Sequence, residues 1–407
     1  MGTLSAQLRS SLEVEYGDRV SFRKTERKLY GHDVAAMPSL VKPLVGNTVP
    51  DAVVQPQTEE ELASLVRRAY EDGIAVTPRG KATSGYGGVL PLKQGLVIDF
   101  YRLSRLLDVD RERLTARVQA GMVWEKLDAE LAKHGLMLRT YPTSYPASTV
   151  GGWLAQGGAG IGGFESGWFL QNVVSARVVM PDGTIKEFEG PELELISDAE
   201  GTTGLISDVT IKVQPLEELG IVAVACPRAE GFQKLVRSIV DAKLPVWSIG
   251  FINPKMAAMK NQSPVKEHGG HEAEHVTLPE AYISTIAFRE SDREAVMGGV
   301  SGMLRPGEAE LLSDEIAQHE WENRFNLMLV KRLGPSLVPS EMVIPLSSFA
   351  KVMAEVGTLV QQPIVKEGVI IRDGAKGEPE VVILGFIPAD QRKFSYNFVF
   401  GLVVTIM

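Results

Sequence analysis

The sequence predicts an α+β fold: a two-part, glycine-rich unit followed by a second unit of mixed strands and helices. Three observations carry this expectation. Strand-like and helix-like runs alternate between about residues 50 and 215. Two loops within that stretch, PRGKATSGYGG at Pro78–Gly88 and GGWLAQGGAGIGGFESGW at Gly151–Trp168, are far denser in glycine and small residues than ordinary soluble sequence. From about Leu219 the glycine-dense loops stop, while strands and helices continue.

Taken in order, residues 1–45 read as a helical leader. Val53-Val54 begins a short strand. Thr58 and Glu61 have capping-box spacing. Leu62, Leu65, Val66 and Ala69 share one helical face, Gly73 ends that helix, and Ile74–Val76 reads as the next strand. Pro78–Gly88 therefore lies just past a strand end, where α/β sheets place ligand loops. Leu96–Asp99 is a further strand. Val118 closes another, and Trp124, Leu127 and Leu131 mark a helix ending at Gly135.

Val173–Met180 and Thr184–Phe188 read as a hairpin turned by Pro181-Asp182-Gly183. Val209, Ile211 and Val213 alternate with polar neighbours in a half-buried strand that stops at Pro215. Beyond it, Phe232, Leu235, Val236, Ile239 and Val240 form an amphipathic helical stripe, and Phe349, Val352, Met353 and Val356 another. Tyr282–Phe288 and Val381–Ile387 read as strands. The expected domains are a leader at 1–45, a glycine-rich domain at 46–217 and a cap or substrate domain at 218–407. The apolar ending FVFGLVVTIM has no cap and no polar tail, so the chain is expected to be truncated or completed by a partner.

With 407 residues the chain can fill more than one core. Its net charge of -9 argues against a nucleic-acid partner. No run reaches the length of a membrane span, and the N-terminus has no apolar core of a secretory signal. The single cysteine, Cys226, excludes an internal disulfide and a cysteine-ligated iron–sulfur cluster within the chain. It fits a reducing compartment, so a cytoplasmic location is expected.

Some motifs are set aside on physical grounds. GAGIGG at Gly158–Gly163 matches GxGxxG, but a dinucleotide fingerprint needs a strand directly before it and an apolar helix after it. The flanks TYPTSYPASTVGGWLAQ and FESGWFLQN supply neither. His271–His275 matches HExxH, yet the stretch follows two glycines and offers no apolar face to anchor a metal-binding helix. It reads as a solvated loop, and no metal site is expected. With no nucleophile elbow and no Walker loop, the chemistry must come from a cofactor. Two loops whose N–H groups can line one concavity suit a large, phosphate-bearing one.

Four segments in order complete the pattern: VVQPQTEEELASLVRRAYEDGIAVTPRG running into KATSGYGG, VQAGMVWEKLDAELAKHGL, PTSYPASTVGGWLAQGGAG and AEGTTGLISDVTIKVQP. Together they span nearly all of Val53–Pro215. This set resembles the PCMH-type FAD-binding domain of the vanillyl-alcohol oxidase / p-cresol methylhydroxylase flavoproteins, in the D-lactate dehydrogenase and glycolate oxidase flavin-subunit branch. The resemblance implies FAD held by Pro78, Arg79, Gly80, Lys81, Ala82, Thr83 and Ser84 around the pyrophosphate. It implies Pro142, Thr143, Ser144, Thr149, Val150, Gly151 and Gly152 along the flavin and diphosphate. Ala155, Gly158 and Gly160 would allow close approach, and Glu200, Gly201, Gly204 and Ile206 would hold the adenosine side. Some relatives attach FAD through a histidine where this chain has Thr83, so noncovalent binding is expected.

The branch also implies oxidation of a small D-lactate- or glycolate-like hydroxy acid, with electrons passed to an iron–sulfur or other acceptor protein. That partner would be the route to any membrane surface. Trp321-Glu322-Asn323-Arg324 matches an element whose arginine meets a substrate carboxylate, a geometry suited to guanidinium. Arg324 is thus the candidate anchor, with Lys331 and Arg332 adding charge. The late histidine motif of hydroxy-acid dehydrogenases has no counterpart in VVILGFIPADQ at Val381–Gln391. An electron-transfer subunit and an alcohol or sugar oxidase therefore stand as alternatives, and oligomerisation stays open.

Overall fold

The computed structural model describes residues 4–34, 45–263, 276–333, 336–359, 364–374 and 377–389. Two compact units emerge: residues 1–158 with 169–216, and residues 159–168 with 217–396.

The first unit holds two sheets. The smaller contains β1 (Val20–Ser21), β2 (Ala52–Val54), β3 (Val76–Arg79) and β4 (Leu96–Asp99), in the order β1-β2-β4-β3. β2, β4 and β3 are parallel, and β1 joins antiparallel at the edge. The leader is thus not wholly helical. Its helix Ala6–Tyr16 is capped by Ser5, and the chain then enters the sheet, where Val20 pairs with Val54.

The crossover helix Glu59–Glu71 starts at Thr58, whose hydroxyl accepts from the Glu61 N–H at 3.2 Å. The reciprocal half of the capping box is displaced. The Glu61 carboxylate accepts from the N–H of Gln57, one residue earlier, and pairs with Arg19. Leu62, Leu65, Val66 and Ala69 are buried along the expected stripe. The strand read at Ile74–Val76 begins two residues later, because Ile74 donates back to Ala69 and is spent closing the helix.

The second sheet contains β5 (Leu106–Asp110), β6 (Thr115–Gln119), β7 (Leu136–Leu138), β8 (Val173–Val179), β9 (Ile185–Glu189) and β10 (Leu205–Pro215). It runs β5-β6-β10-β8-β9, antiparallel throughout, with β7 on the end of β10. Trp124, Trp153 and Phe169 pack together beside it. Trp153 stacks on Phe169 at 4.1 Å between centroids, and Trp124 meets both edge-on at 5.4 Å. Such pairs add about 0.5–1.5 kcal/mol beyond area burial.

A charged ladder ties the two halves of this unit. Glu59, at the start of the crossover helix, takes two hydrogen bonds from Arg177 on β8, and Asp208 on β10 takes two from Arg117 on β6. Ser207 donates to Glu59 as well.

The second unit is built on a seven-stranded antiparallel sheet. It comprises β11 (Leu219–Cys226), β12 (Val246–Ile252), β13 (Tyr282–Arg289), β14 (Glu310–Leu311), β15 (Ser336–Pro345), β16 (Ile364–Ile371) and β17 (Glu380–Ala389). Their order is β14-β11-β13-β12-β16-β17-β15. The helix Ala229–Asp241 buries Phe232, Leu235, Val236 and Ile239 in a core that also contains Phe251, Phe288 and Phe349. Cys226 is fully buried there, and burial pushes its thiol up to about 12, so it is inert. The segment 159–168, which holds most of the GxGxxG match, packs in this unit, and Arg289 clasps Glu165 with two hydrogen bonds.

Candidate functional site

In the first unit, three of the segments read as cofactor loops converge. A Cβ placed on Gly80 would sit 2.6 Å from the Thr149 hydroxyl, and one on Gly151 would sit 2.4 Å from the Ala120 Cβ. The first and third segments therefore touch only because glycine stands there. The fourth is zipped onto the third, since Glu200 donates from its N–H to the Ala155 carbonyl at 2.8 Å and Asp198 donates to Leu154. Pro142 is buried and Thr143 and Ser144 are half-buried, leading into Thr149, which caps the helix Val150–Gln156.

Among the described residues, three of the six non-glycine residues at positive φ lie in or beside these loops, the others being Gln94, Leu114 and Lys243. Ala82, Asp198 and Glu200 hold positive φ of 53°, 55° and 51°, each costing about 1–2 kcal/mol for a residue with a side chain. Strain of this kind collects at ligand sites. The N–H groups of Lys81, Ala82, Thr83, Ser84 and Gly85 donate to no acceptor among the described residues. A run of free amides around a left-handed residue is an anion cradle, and it fits a diphosphate.

The side chains add detail that the sequence did not give. Arg79 turns away from the cradle and donates to the carbonyls of Tyr30 and His32, so only its backbone faces the loop. Lys81 lies over the Tyr101 ring at 4.4 Å. The N–H groups of Val150, Gly151 and Gly152 are already taken by Met122, Ala120 and Thr149. Those residues offer close approach rather than donors. Burial first, and Asp198 second, hold the Glu200 carboxyl above its usual range. Ile206 is buried at the start of β10, and Gly201 and Gly204 precede it. Gly158 belongs to the first unit, whereas Gly160 falls in the second.

In the second unit, Arg324 follows the helix Asp314–Glu322. Its guanidinium donates to the Trp321 carbonyl at 2.6 Å and lies 4.1 Å from the Trp321 ring and 4.4 Å from the Phe325 ring. It lines a cavity of about 50 Å³ with Lys260, Glu320, Glu367 and Thr285. Neither Lys331 nor Arg332 lines this cavity; both lie on the turn Leu327–Leu333.

The sequence reading missed Lys260 and Glu320. Lys260 meets both oxygens of Glu320 at 2.6 Å, and Glu320 is only 6% exposed. Burial alone would raise the Glu320 carboxyl, but His319 and Lys260 outweigh it and hold the group below its usual range. The signal was present, because Glu320 shares a helical face with Ala317 and Trp321. A carboxylate on an apolar stripe needs a partner. Among the described residues no cluster of three or more His, Cys, Asp or Glu side chains has the arrangement of a metal site. The HExxH match His271–His275 lies outside the described residues, as does the C-terminal FVFGLVVTIM.

Comparison with known proteins points to the same cofactor. A family model for an FAD binding domain matches residues 50–189. The glycolate oxidase subunit GlcD of Bacillus subtilis (strain 168) is 24% identical over 330 residues, covering 77% of this chain and 68% of that one. The mitochondrial cytochrome D-lactate dehydrogenase of Arabidopsis thaliana is 30% identical over 230 residues, covering 54% of this chain and 38% of that protein. The chain spans between 29% and 48% of several other curated relatives. A solved alkyldihydroxyacetonephosphate synthase superposes with a TM-score of 0.79 at 19% identity, over 98% of this chain and 78% of its own.

Fold and cradle together define a flavoprotein that binds FAD. Residues 50–189 carry an FAD binding domain, and the chain is similar to FAD-dependent oxidoreductases. No helix among the described residues is long and apolar enough to cross a membrane.

Proposed function

We propose that the protein oxidises a small D-2-hydroxy acid, of the D-lactate or glycolate kind, and passes the electrons to an iron–sulfur or other acceptor protein. The observation that carries this reading is Arg324 at the wall of a charged cavity in the second unit. The likeness to a glycolate oxidase subunit over 77% of the chain supports it. Bound FAD supplies a two-electron acceptor. Residues 78–84, 142–144, 149–152, 155, 158, 160, 200, 201, 204 and 206 would hold it, without a covalent link because Thr83 stands in the first loop. Arg324 would hold the substrate carboxylate, and Lys331 and Arg332 would raise the local positive potential.

A second reading is an electron-relay subunit with no substrate of its own. The engagement of Arg324 by the Trp321 carbonyl and two aromatic rings favours it, because a guanidinium so held is already occupied.

Anaerobic titration of the FAD-loaded protein with D-lactate and glycolate separates the two. Loss of flavin absorbance with either acid supports the hydroxy-acid reading. Arg324→Ala should then cut turnover by about 10- to 150-fold with FAD retained, the loss of a hydrogen-bonded charge. Unchanged flavin absorbance with both acids, in protein that still passes electrons, supports the relay.

A further inference from the structure

A cleft of about 580 Å³ opens in the first unit past the C-terminal ends of β2, β3 and β4, the position where α/β sheets receive ligands. Four cations line it: Lys81, Arg102, Arg105 and Lys126. No aspartate or glutamate is among its lining residues. Of the positions assigned to FAD above, only Lys81 reaches it.

The four cations are held by neutral groups. Lys81 sits over Tyr101, Arg102 donates to the Gln55 side chain at 3.1 Å, Arg105 to the Gln119 side chain at 3.4 Å, and Lys126 to the Ser104 carbonyl at 3.5 Å. Asp18 comes within 3.7 Å of Arg102, but its side chain is 90% exposed, and such a pair contributes little.

A chain with a net charge of -9 thus concentrates four positive charges around one concavity. Unscreened, they repel one another, and a cleft of one sign focuses the field on an incoming anion. Its volume lies within the range of about 300–1,000 Å³ typical of small-molecule sites. Thr58, Ser104 and Tyr101 add hydroxyls.

We propose that this cleft is a second anion site, separate from the amide cradle of the FAD loop, that takes a small molecule carrying a diphosphate group. Preference for a diphosphate over a single phosphate follows from the number of cations. The inference is independent of the hydroxy-acid reading.

The test titrates inorganic pyrophosphate into the FAD-loaded protein by calorimetry. FAD-loaded protein is required because the empty amide cradle would itself bind pyrophosphate. Saturable one-to-one binding is expected, weakening as salt is added. Arg102→Ala and Lys126→Ala should each weaken it about tenfold, as loss of one charge-assisted contact does, with FAD content unchanged. Lys126 is exposed, so its replacement leaves the fold intact. Absence of saturable binding, or equal affinity in the variants, overturns the proposal. Loss of FAD from the variants also overturns it, by making the cleft part of the FAD site. Binding to phosphatidylglycerol vesicles without binding to free pyrophosphate overturns it in favour of a lipid surface.

Discussion

The two units reach their candidate sites by different physical routes. The first shapes its cradle with backbone: glycines that admit no Cβ, residues held at positive φ, and amides left without acceptors. The second shapes its cavity with buried charge, where Lys260, Glu320 and Arg324 lie against a sheet of apolar strands. The difference teaches where each is vulnerable. An added methyl should damage the cradle of the first unit, and a removed charge the cavity of the second.

The largest effect is expected from Lys260→Ala. Truncating one partner of a buried pair leaves the other uncompensated and costs about 3–5 kcal/mol, readable as a lower denaturation midpoint. The double variant Lys260→Met with Glu320→Leu should lose less than the single change. If it loses more, the pair is a net source of stability and the comparison sharpens. The same pair predicts an acid limit. Because the folded Glu320 pKa lies below its ordinary value, its contribution is complete at neutral pH. It is lost as pH falls below about 4 and through the folded pKa. A stability profile that is flat between pH 6 and 3 contradicts this.

Next comes Gly151→Ala, whose methyl would meet the Ala120 side chain and backbone. Overpacking of this kind costs about 1–3 kcal/mol, and FAD occupancy should fall with it. Full occupancy in this variant breaks the claim that the cradle depends on backbone approach. Glu59→Gln is expected to cost about 1.5–3 kcal/mol, because it removes charge-assisted bonds to Arg177. The smallest effect is Thr58→Ala, about 1 kcal/mol from a lost helix cap. Both are read from thermal melting.

This contrast also explains what was legible in the sequence. Backbone-built features leave a linear trace. The order of the glycine segments, the Thr58 cap and the Leu62–Ala69 stripe all stand in the chain as neighbours, and the fold places them as expected. Charge-built features join residues far apart. Nothing local links Lys260 to Glu320, or Glu59 to Arg177, so the second cavity and the ladder between sheets were invisible. Arg79 marks the boundary. Its place in the loop was readable, but the direction of its side chain depended on Tyr30 and His32, roughly fifty residues earlier.

That same arginine gives the leader a role beyond filling the edge of a sheet. The carbonyls around Tyr30 act as a latch on the strand that leads into the Pro78–Gly88 loop. Nicking the chain near Tyr30 with a protease would slacken the cradle at a distance. The rate of cleavage there would in turn serve as a gauge of how much cofactor the protein carries.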